Sequence, residues 1–203
     1  MKKIKIIGLT GQTGAGKSTV SEYFLKRNIC VINADSLVRK IYIANSPCVM
    51  AIAALFGDDV LDENGEIIRP ILAQRAFSSK EATEKLNSIV HPFVTYEFLK
   101  QVNKAVQNGA RYVLYDAPQL FESNANLFCD VIISVIADKK VRIKRICIRD
   151  NIDLQSAELR INAQYDEDFF RQNSDFIIEN NSDLEFLETE TEKLYKIVCN
   201  RGD

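Results

Sequence analysis

The stretch that decides the fold reads Gly11-Gln12-Thr13-Gly14-Ala15-Gly16-Lys17-Ser18 and is followed by Thr19. It fits the pattern G-x-x-x-x-G-K-[ST] of a phosphate-binding loop, or P-loop. Four of the eight glycines of the chain lie between positions 8 and 16, which indicates that backbone conformation matters there. An apolar run at residues 4–9 leads into the loop and a helical pattern leads out of it, as the motif requires.

Each residue type of this loop has a physical role in binding a nucleotide phosphate. Glycines let successive backbone N–H groups point inward at the phosphates, and the N-terminus of the following helix adds partial positive charge. We expect Lys17 to reach the β- and γ-phosphates and the Ser18 hydroxyl to ligate Mg²⁺. Residues 11–19 are therefore the predicted ATP site, and the alternative is a glycine-rich turn that binds nothing.

Length and charge narrow the class of protein. The chain has 203 residues, of which 46% are hydrophobic, enough for one or two domains with a buried core. Its 26 basic and 28 acidic residues argue against holding nucleic acid or anionic membrane by bulk electrostatics. No apolar stretch approaches the roughly 20 residues of a membrane span, and Lys5 and Gly8 interrupt the N-terminal run that a signal peptide would need. These features predict a soluble, cytoplasmic protein without a nucleic-acid or membrane partner; they leave the oligomeric state open.

Cysteine and histidine usage argues against a zinc site and against a disulfide framework. The chain has one histidine and an odd number of scattered cysteines, none of them in a C-x-x-C pair. Free thiols in a reducing compartment are the prediction. The five cysteines are Cys30, Cys48, Cys129, Cys147 and Cys199.

Short apolar runs alternate with helical patterns along the chain. The predicted strands are residues 4–9, 30–34, 112–115, 131–137 and 176–178, and the helical stretches include 18–26, 94–107, 139–149 and 183–198. The runs are rich in Val, Ile and aromatic residues and are mostly unbroken, which is typical of parallel strands covered on both faces. The alternation predicts an α/β fold with a doubly wound, five-stranded parallel sheet.

Residues 36–109 break this alternation because they contain helical segments but no core strand. Within them, Ser78-x-x-Glu81 matches a capping box, and Pro92 predicts a helix end near His91. An insertion of this size would lie over the C-terminal edge of the sheet, where α/β folds bind ligands. The predicted plan is one domain with core segments 1–35, 110–137 and 171–203, a helical substrate-binding insertion at 36–109 and a lid at 138–170.

A P-loop leaves the reaction open, but rival classes of P-loop protein carry further motifs of their own. The N-K-x-D of regulatory GTPases and the L-S-G-G-Q of ABC-type ATPases are absent. Asp116 ends the apolar run 112–115, which is the pattern of an aspartate that holds Mg²⁺; capping of the turn at Pro118 is the alternative. A small-molecule phosphotransferase is the prediction, and a nucleotide-binding module without turnover is the rival.

Beyond the P-loop, the chain resembles the dephospho-CoA kinase family almost from end to end. The matching segments are Gly8-Leu9-Thr10-Gly11 through Lys17-Ser18-Thr19-Val20, Asn33-Ala34-Asp35, Phe56-Gly57, Arg69, His91-Pro92, Asp116-Ala117-Pro118-Gln119-Leu120-Phe121-Glu122, Arg145, Arg149-Asp150, Arg160, Gln164 and Asp175-Phe176-Ile177-Ile178-Glu179-Asn180. The resemblance implies a P-loop fold of the nucleoside monophosphate kinase type and transfer of the ATP γ-phosphoryl group, with Mg²⁺, to the 3'-hydroxyl of dephospho-CoA. Another small-molecule kinase, such as a nucleoside monophosphate kinase, is the alternative. Asn33 and Gln119 depart from the family pattern, which has Asp and Leu at these positions.

The resemblance also suggests residues that contact the acceptor. Asp35 is expected to face the ribose 3'-hydroxyl and to accept its proton or orient it. The alternative for Asp35 is an N-cap of a helix that begins near Ser36. Arg69 and His91 are candidate contacts to dephospho-CoA, with a surface ion pair and a helix-end role as their alternatives.

A basic segment follows the fourth predicted strand. Arg142, Arg145 and Arg149 are spaced i, i+3, i+7 and share one helical face. We expect Arg145 and Arg149 to act from the lid, where guanidinium groups stabilise the phosphoryl charge and closure excludes water. For the neighbouring lysines, a solvated helix face is the expectation; they are Lys139, Lys140 and Lys144.

Overall fold

The computed structural model describes residues 4–199, and five strands within them form one sheet. The strands are β1 (Lys5–Gly11), β2 (Cys30–Asn33), β3 (Tyr112–Asp116), β4 (Val131–Ile136) and β5 (Phe176–Glu179). The predicted five-stranded parallel sheet is confirmed, with strand ends displaced by at most two residues. The predicted core segments also include residues 1–3 and 200–203, which lie outside the described residues.

The strand order β2-β3-β1-β4-β5 places β1 at the centre of the sheet. β1 pairs in parallel with β3 on one side and with β4 on the other, and β4 pairs in parallel with β5. The chain therefore changes its direction of travel across the sheet at β1. In open parallel sheets, ligands bind beyond the carboxyl ends of the strands at this switch point, and here that position belongs to the residues that follow β1.

Nine α-helices occur within the described residues. They are α1 (Lys17–Lys26), α2 (Ala34–Ile41), α3 (Pro47–Phe56), α4 (Arg69–Ala76), α5 (Lys80–Gln107), α6 (Lys139–Asp150), α7 (Leu154–Asn162), α8 (Glu167–Asn173) and α9 (Leu184–Cys199). The chain divides into two compact units. The first comprises Met1–Ile32 and Ala105–Asp203, and the second is Asn33–Lys104.

The core of the first unit follows from the apolar character of its strands. Ile7 and Leu9 of β1 and Ile133 of β4 are fully buried, as expected for a parallel sheet covered on both faces. Phe24 of α1 belongs to the same cluster, together with side chains of α9. Burial of one such side chain contributes about 1.5–3 kcal/mol, so the strand and the helix that flank the P-loop are both firmly anchored.

The core of the second unit is made by its own helices. Ile52, Leu72 and Leu86, from α3, α4 and α5, are buried in one cluster. Residues 62–65 form a turn, around which Leu61 and Ile67 make an antiparallel bridge. This unit therefore has an apolar core that the sheet does not supply.

The predicted helix end near His91 is wrong, because α5 continues through Pro92. A proline inside a helix removes one backbone hydrogen bond and costs about 3 kcal/mol. Ile89, Phe93 and Val94 flank this proline and pack against the core of the second unit. Burial of these side chains offsets the cost of the proline and keeps the helix intact.

The predicted start of this helix is displaced by one residue. The Ser79 hydroxyl accepts a hydrogen bond from the Ala82 N–H at 3.1 Å, which is the spacing of an N-cap. The Ser78 hydroxyl instead donates to the Arg75 carbonyl at 2.7 Å. Ser79 rather than Ser78 caps α5, because Ser78 still belongs to the turn that follows α4.

The cysteine side chains carry free thiols, as predicted. All five cysteines are free, and burial raises the pKa of Cys129 to about 12 and that of Cys48 to about 11. The thiols of Cys129 and Cys48 therefore stay protonated at neutral pH and are poor nucleophiles. Residues 4–199 contain no cluster of three or more His, Cys, Asp and Glu side chains that could hold a metal. In the same range, none of the helices has the length and apolar character to cross a membrane.

Candidate active site

The P-loop connects β1 to α1, and its backbone requires glycine, as two of its positions illustrate. Gly14 has a φ of 79° and Gly16 a φ of 107°, values that strain residues with a side chain. A Cβ atom at Gly16 would lie 2.5 Å from the Asn180 Nδ2, and one at Gly14 would lie 2.9 Å from the Arg142 carbonyl oxygen. The loop is thus packed tightly against α6 and against the segment that follows β5.

Hydrogen bonds to neighbouring strands anchor the loop. The Gln12 backbone N–H donates to the Val135 carbonyl at 3.0 Å, and the Gln12 side-chain oxygen accepts from the Ala137 N–H at 3.3 Å. The Asn180 side chain donates to the Ala15 carbonyl at 2.7 Å. At the end of the loop, the first N–H groups of α1 have no intrahelical acceptor. Together with the helix dipole, they form an anion-binding position.

Lys17 and Asp116 form an ion pair at this position. Asp116 ends β3 and lies opposite Leu9 of β1 in the sheet register. The side chains are largely buried, with 17% of Lys17 and 6% of Asp116 exposed. A charge buried without a partner is costly, so this contact keeps the predicted phosphate ligand and the predicted metal ligand together. Ser18, the other predicted metal ligand, is exposed in the first turn of α1.

The arginines of α6 differ in their surroundings. Arg145 donates to the backbone carbonyls of Asn180 and Ser182 at 2.9 and 3.0 Å, which ties α6 to the segment after β5. Arg149 is exposed and pairs with the Asp150 carboxylate at 2.7 and 2.9 Å. The neighbouring lysines are exposed, as expected for a solvated face; they are Lys139, Lys140 and Lys144.

Arg142, for which no role is predicted from the sequence, is the buried arginine of this face. It is only 6% exposed, and its Nε donates to the Ala137 carbonyl at 2.9 Å. The Nη1 atom makes no hydrogen bond to any of the described residues. Burial lowers the pKa of this guanidinium. Its spacing to Arg145 and Arg149 is a sequence signal, but spacing cannot tell which of the three is buried.

A residue from a distant segment also contacts the P-loop. The Thr13 backbone N–H donates to the side-chain oxygen of Gln164 at 2.7 Å. Gln164 lies in the turn between α7 and α8. The two residues are 151 positions apart, so no spacing pattern predicts the contact. The one available signal is that Gln164 belongs to the residues that carry the family resemblance.

A cavity of about 410 Å³ in the second unit, here called the acceptor cavity, brings two predicted site residues together. Asp35 and Arg69 both line it and both are exposed. Its apolar wall includes Leu72, Phe77 and Leu86. Burial raises the pKa of Tyr42, also in this cavity, to about 12, so its hydroxyl stays protonated at neutral pH.

Asn33, rather than Asp35, caps α2. The Asn33 side-chain oxygen accepts from the Ser36 N–H at 3.0 Å, and the helix begins at Ala34. The alternative reading of Asp35 as an N-cap is therefore wrong. Since Asn and Asp cap helices equally well, the Asn33 departure from the family pattern leaves this helix start intact.

Two further residues singled out from the sequence lie elsewhere. His91 is half-buried in α5 and is not among the residues that line the acceptor cavity. Burial lowers the pKa of its imidazole. Gln119, the second departure from the family pattern, has an exposed side chain, and its carbonyl accepts from the Ser123 hydroxyl. An exposed position tolerates a polar side chain in place of an apolar one.

The fold first defines a class of protein. A solved shikimate kinase from Acinetobacter baumannii aligns with a TM-score of 0.58 and 14% identity, over 100% of this chain and 97% of that one. This likeness shows the fold alone. The arrangement, with its P-loop at the switch point of a parallel sheet, is the P-loop kinase fold.

The family is shown by closer relatives. The dephospho-CoA kinase family model matches residues 5–185. The dephospho-CoA kinase of Fusobacterium nucleatum is 38% identical over 195 residues, covering 96% of this chain and 99% of that protein. A solved dephospho-CoA kinase from Campylobacter jejuni is 27% identical, with a TM-score of 0.71 over 96% of this chain and 98% of that one. The chain belongs to the dephospho-CoA kinase family, which confirms the predicted class of ATP-dependent phosphotransferase.

Proposed function

We propose that this protein transfers the γ-phosphoryl group of ATP to the 3'-hydroxyl of dephospho-CoA, giving coenzyme A and ADP. The observation that carries the proposal is that the chain has both a P-loop, with its Lys17–Asp116 ion pair, and a cavity lined by a carboxylate and an arginine. Phosphoryl transfer needs a site that binds the donor phosphates and a group that orients the acceptor hydroxyl. The P-loop suits the first need and Asp35 the second.

The donor phosphates bind in the P-loop, at residues 11–19. Backbone N–H groups at the start of α1 and the Lys17 ammonium surround the β- and γ-phosphates. Lys17 pairs with Asp116 in the structure. A phosphate offers Lys17 a new anionic partner, so nucleotide binding exchanges one ion pair for another rather than burying a charge alone.

The residues at the loop fit a magnesium ion. Mg²⁺ is usually held by one or two carboxylates, with substrate phosphates and waters completing its octahedral shell. Asp116 supplies one buried carboxylate at the end of β3, and the Ser18 hydroxyl is exposed at the start of α1. When bound there, the ion would neutralise charge on the β- and γ-phosphates.

The acceptor binds in the cavity of the second unit, within the insertion at residues 36–109. Asp35 is exposed, and Asn33 rather than Asp35 caps α2. The Asp35 carboxylate is therefore available to take the proton of the 3'-hydroxyl. The hydroxyl oxygen attacks the γ-phosphorus, the bond to the β–γ bridging oxygen breaks, and ADP leaves. Arg69 binds a phosphate of dephospho-CoA, which fixes the acceptor in register with Asp35.

Arginines of residues 138–170, the lid, complete the site. The exposed pair of Arg149 with Asp150 contributes little to stability, so Arg149 can exchange this carboxylate for a phosphate. Arg145 supports the P-loop through Asn180, which binds a loop carbonyl. The two arginines therefore have different roles. Arg149 binds the negative charge of the transferred phosphoryl group, and Arg145 positions the P-loop.

A coupled assay of ADP release tests the reaction. The purified protein is incubated with ATP and Mg²⁺ and with dephospho-CoA, with AMP or with no acceptor. We expect ADP release with dephospho-CoA and a rate at least about a hundredfold lower in the other two mixtures, because the acceptor must be oriented for transfer. Equal turnover of AMP would point to a nucleoside monophosphate kinase, and no turnover in any mixture to a nucleotide-binding module. Either result would overturn the proposal.

A further inference from the structure

Arg142 carries a positive charge at a position where folding alone disfavours one. Its side chain is 6% exposed, and its buried Nη1 atom makes no hydrogen bond to any of the described residues. It also lies in the first turn of α6, which begins at Lys139. Positive charge is disfavoured at this end of a helix, because the helix dipole is positive there. A guanidinium buried in this way costs stability unless another group compensates its charge.

Within residues 4–199, no carboxylate forms an ion pair with the Arg142 guanidinium. Burial lowers the pKa of Arg142, and the charge of Glu167 in α8 raises this pKa by less. The Glu167 carboxylate itself accepts two hydrogen bonds from the Arg171 guanidinium, at 2.9 and 2.7 Å. Since arginine stays protonated in proteins, Arg142 is a permanent buried cation that no carboxylate of these residues neutralises.

The P-loop lies next to this cation. The Arg142 Nε donates to the Ala137 carbonyl at 2.9 Å, and the Ala137 N–H donates to the side-chain oxygen of Gln12 in the loop at 3.3 Å. A Cβ atom at Gly14 would lie 3.2 Å from the Arg142 Cα. Ile146, one turn further along α6, is fully buried and fixes the helix. The charge of Arg142 therefore has a fixed position close to the loop.

The ligand that a P-loop binds carries the opposite charge. Nucleotide phosphates are anions, and charges in the protein interior are screened less by water and salt than charges at the surface. An electrostatic field acts over a distance, so the buried guanidinium can attract a phosphate without touching it. A charge that packing has already fixed also needs no rearrangement when the ligand binds. Attraction of an anionic ligand thus gives a reason for a charge that the fold alone disfavours.

We propose that Arg142 is a fixed buried charge that strengthens nucleotide binding by the P-loop through its electrostatic field while it lowers the stability of the folded protein. The proposal rests on nucleotide binding by the P-loop. It separates two contributions of one side chain: the charge acts on the nucleotide, and the hydrogen bond to Ala137 supports the fold. An arginine with only a structural role would act through the hydrogen bond and the packing of its side chain.

Two neutral substitutions separate the charge from the hydrogen bond. In Arg142→Gln, the Nε2 atom follows Cδ as the arginine Nε does, so the hydrogen bond to the Ala137 carbonyl is kept and the charge is lost. Arg142→Met loses both. Titration with ADP measures binding without turnover, and we expect affinity to fall about three- to tenfold in both variants, because both lack the charge.

Denaturant unfolding supplies the second readout. The free energy of unfolding should stay the same or rise in Arg142→Gln, because a buried charge without a carboxylate partner is removed. It should be lower in Arg142→Met than in Arg142→Gln, because the Ala137 carbonyl loses its donor. Loss of affinity without loss of stability is the signature that a structural role would not produce.

Lys144→Gln is the matched control, because it removes one positive charge from an exposed position of the same helix. Water and salt screen an exposed charge, so ADP affinity should stay within about twofold of the unmodified protein. This control separates the buried position of the charge from the net charge of the protein.

The inference is overturned if Arg142→Gln binds ADP as tightly as the unmodified protein, since the charge would then contribute nothing. It is also overturned if Arg142→Gln loses stability together with affinity, or if Lys144→Gln loses as much affinity as Arg142→Gln. If the unmodified protein binds no ADP, the proposed function fails instead. The affinity of the unmodified protein therefore separates the two failures.

Discussion

The P-loop and the acceptor cavity are built in opposite ways. The P-loop is a run of consecutive residues whose ligand-binding groups are mainly backbone N–H groups, held by buried side chains such as Gln12 and Asn180. The acceptor cavity is lined by side chains from three helices, and its charged members Asp35 and Arg69 are exposed. Phosphate binding is thus a local property of the chain, whereas recognition of the acceptor depends on how helices pack.

This difference predicts how the two regions respond to substitution. Changes at buried, hydrogen-bonded residues of the loop alter stability and activity together, because they leave a polar group without its partner. Changes at exposed residues of the cavity shift stability by about 0.5 kcal/mol or less. Three of the following four substitutions test this contrast, and the fourth concerns a residue outside both regions.

Lys17→Met should have the largest effect. It removes the cation that binds the donor phosphates, and we expect kcat/KM for ATP to fall about 10²–10³-fold. It also removes the ion-pair partner of Asp116, so the midpoint of thermal unfolding should fall. In the double variant Lys17→Met/Asp116→Asn the unfolding midpoint should recover while activity stays low. Recovery of activity in the double variant would mean that Lys17 acts only through the ion pair.

Asp35→Asn should lower kcat at least about a hundredfold with little change in the KM for ATP, because the carboxylate acts on the acceptor proton. Its unfolding midpoint should stay the same, since the side chain is exposed. Steady-state kinetics and thermal unfolding check both parts. Asp58→Asn, at an exposed aspartate of the same unit, is the control. Turnover close to normal in the Asp35 variant would remove the proton-acceptor role.

Arg69→Ala should raise the KM for dephospho-CoA about 10- to 100-fold, the loss expected for one charge-assisted hydrogen bond. The KM for ATP should stay within about threefold, because Arg69 belongs to the acceptor cavity and not to the loop. Lys85→Ala removes an exposed charge of the same unit and serves as the control. A parallel rise of both KM values would make Arg69 a structural residue.

His91→Gln should have the smallest effect, and it should concern stability. Burial lowers the pKa of His91 in the folded protein, so the unfolded chain binds more protons as the pH falls through about 6.5. Its contribution to stability is full above that pH and is lost below it. The unfolding midpoint should therefore fall more between pH 7.5 and 5.5 in the unmodified protein than in the variant. Parallel curves would show that His91 titrates equally in both states.

The parts of the molecule that could be predicted from the sequence depend on residues that are neighbours in the chain. The strands follow from their unbroken apolar runs, and the P-loop follows from residues at fixed spacing. The ends of α5 were not predictable in the same way. Pro92 argues locally for a helix end, but the buried neighbours Phe93 and Val94 keep the helix going. At this position, tertiary packing overrides the local tendency of proline to end a helix.

The family resemblance identified candidate site residues, but it did not indicate their positions in the structure. It indicates Asp35 and Arg69 but not the cavity that they share, and it indicates Gln164 but not its contact with the loop. Among the arginines of α6, the spacing identified the shared face but not that Arg142 is the buried one. Periodicity reports which residues face the same way, and it does not report what they face.

By itself, the sequence determined the class of fold and the place where phosphate binds. Alternating apolar runs and helical patterns specify a parallel sheet, and a glycine-rich loop between strand and helix specifies an anion site, because both depend on residues that are neighbours in the chain. Tertiary structure alone decided that Lys17 pairs with Asp116, that Asp35 and Arg69 line one cavity and that Gln164 bonds to Thr13. These contacts join residues separated by tens to more than a hundred positions. Their geometry depends on how strands and helices pack against one another, which no local pattern encodes.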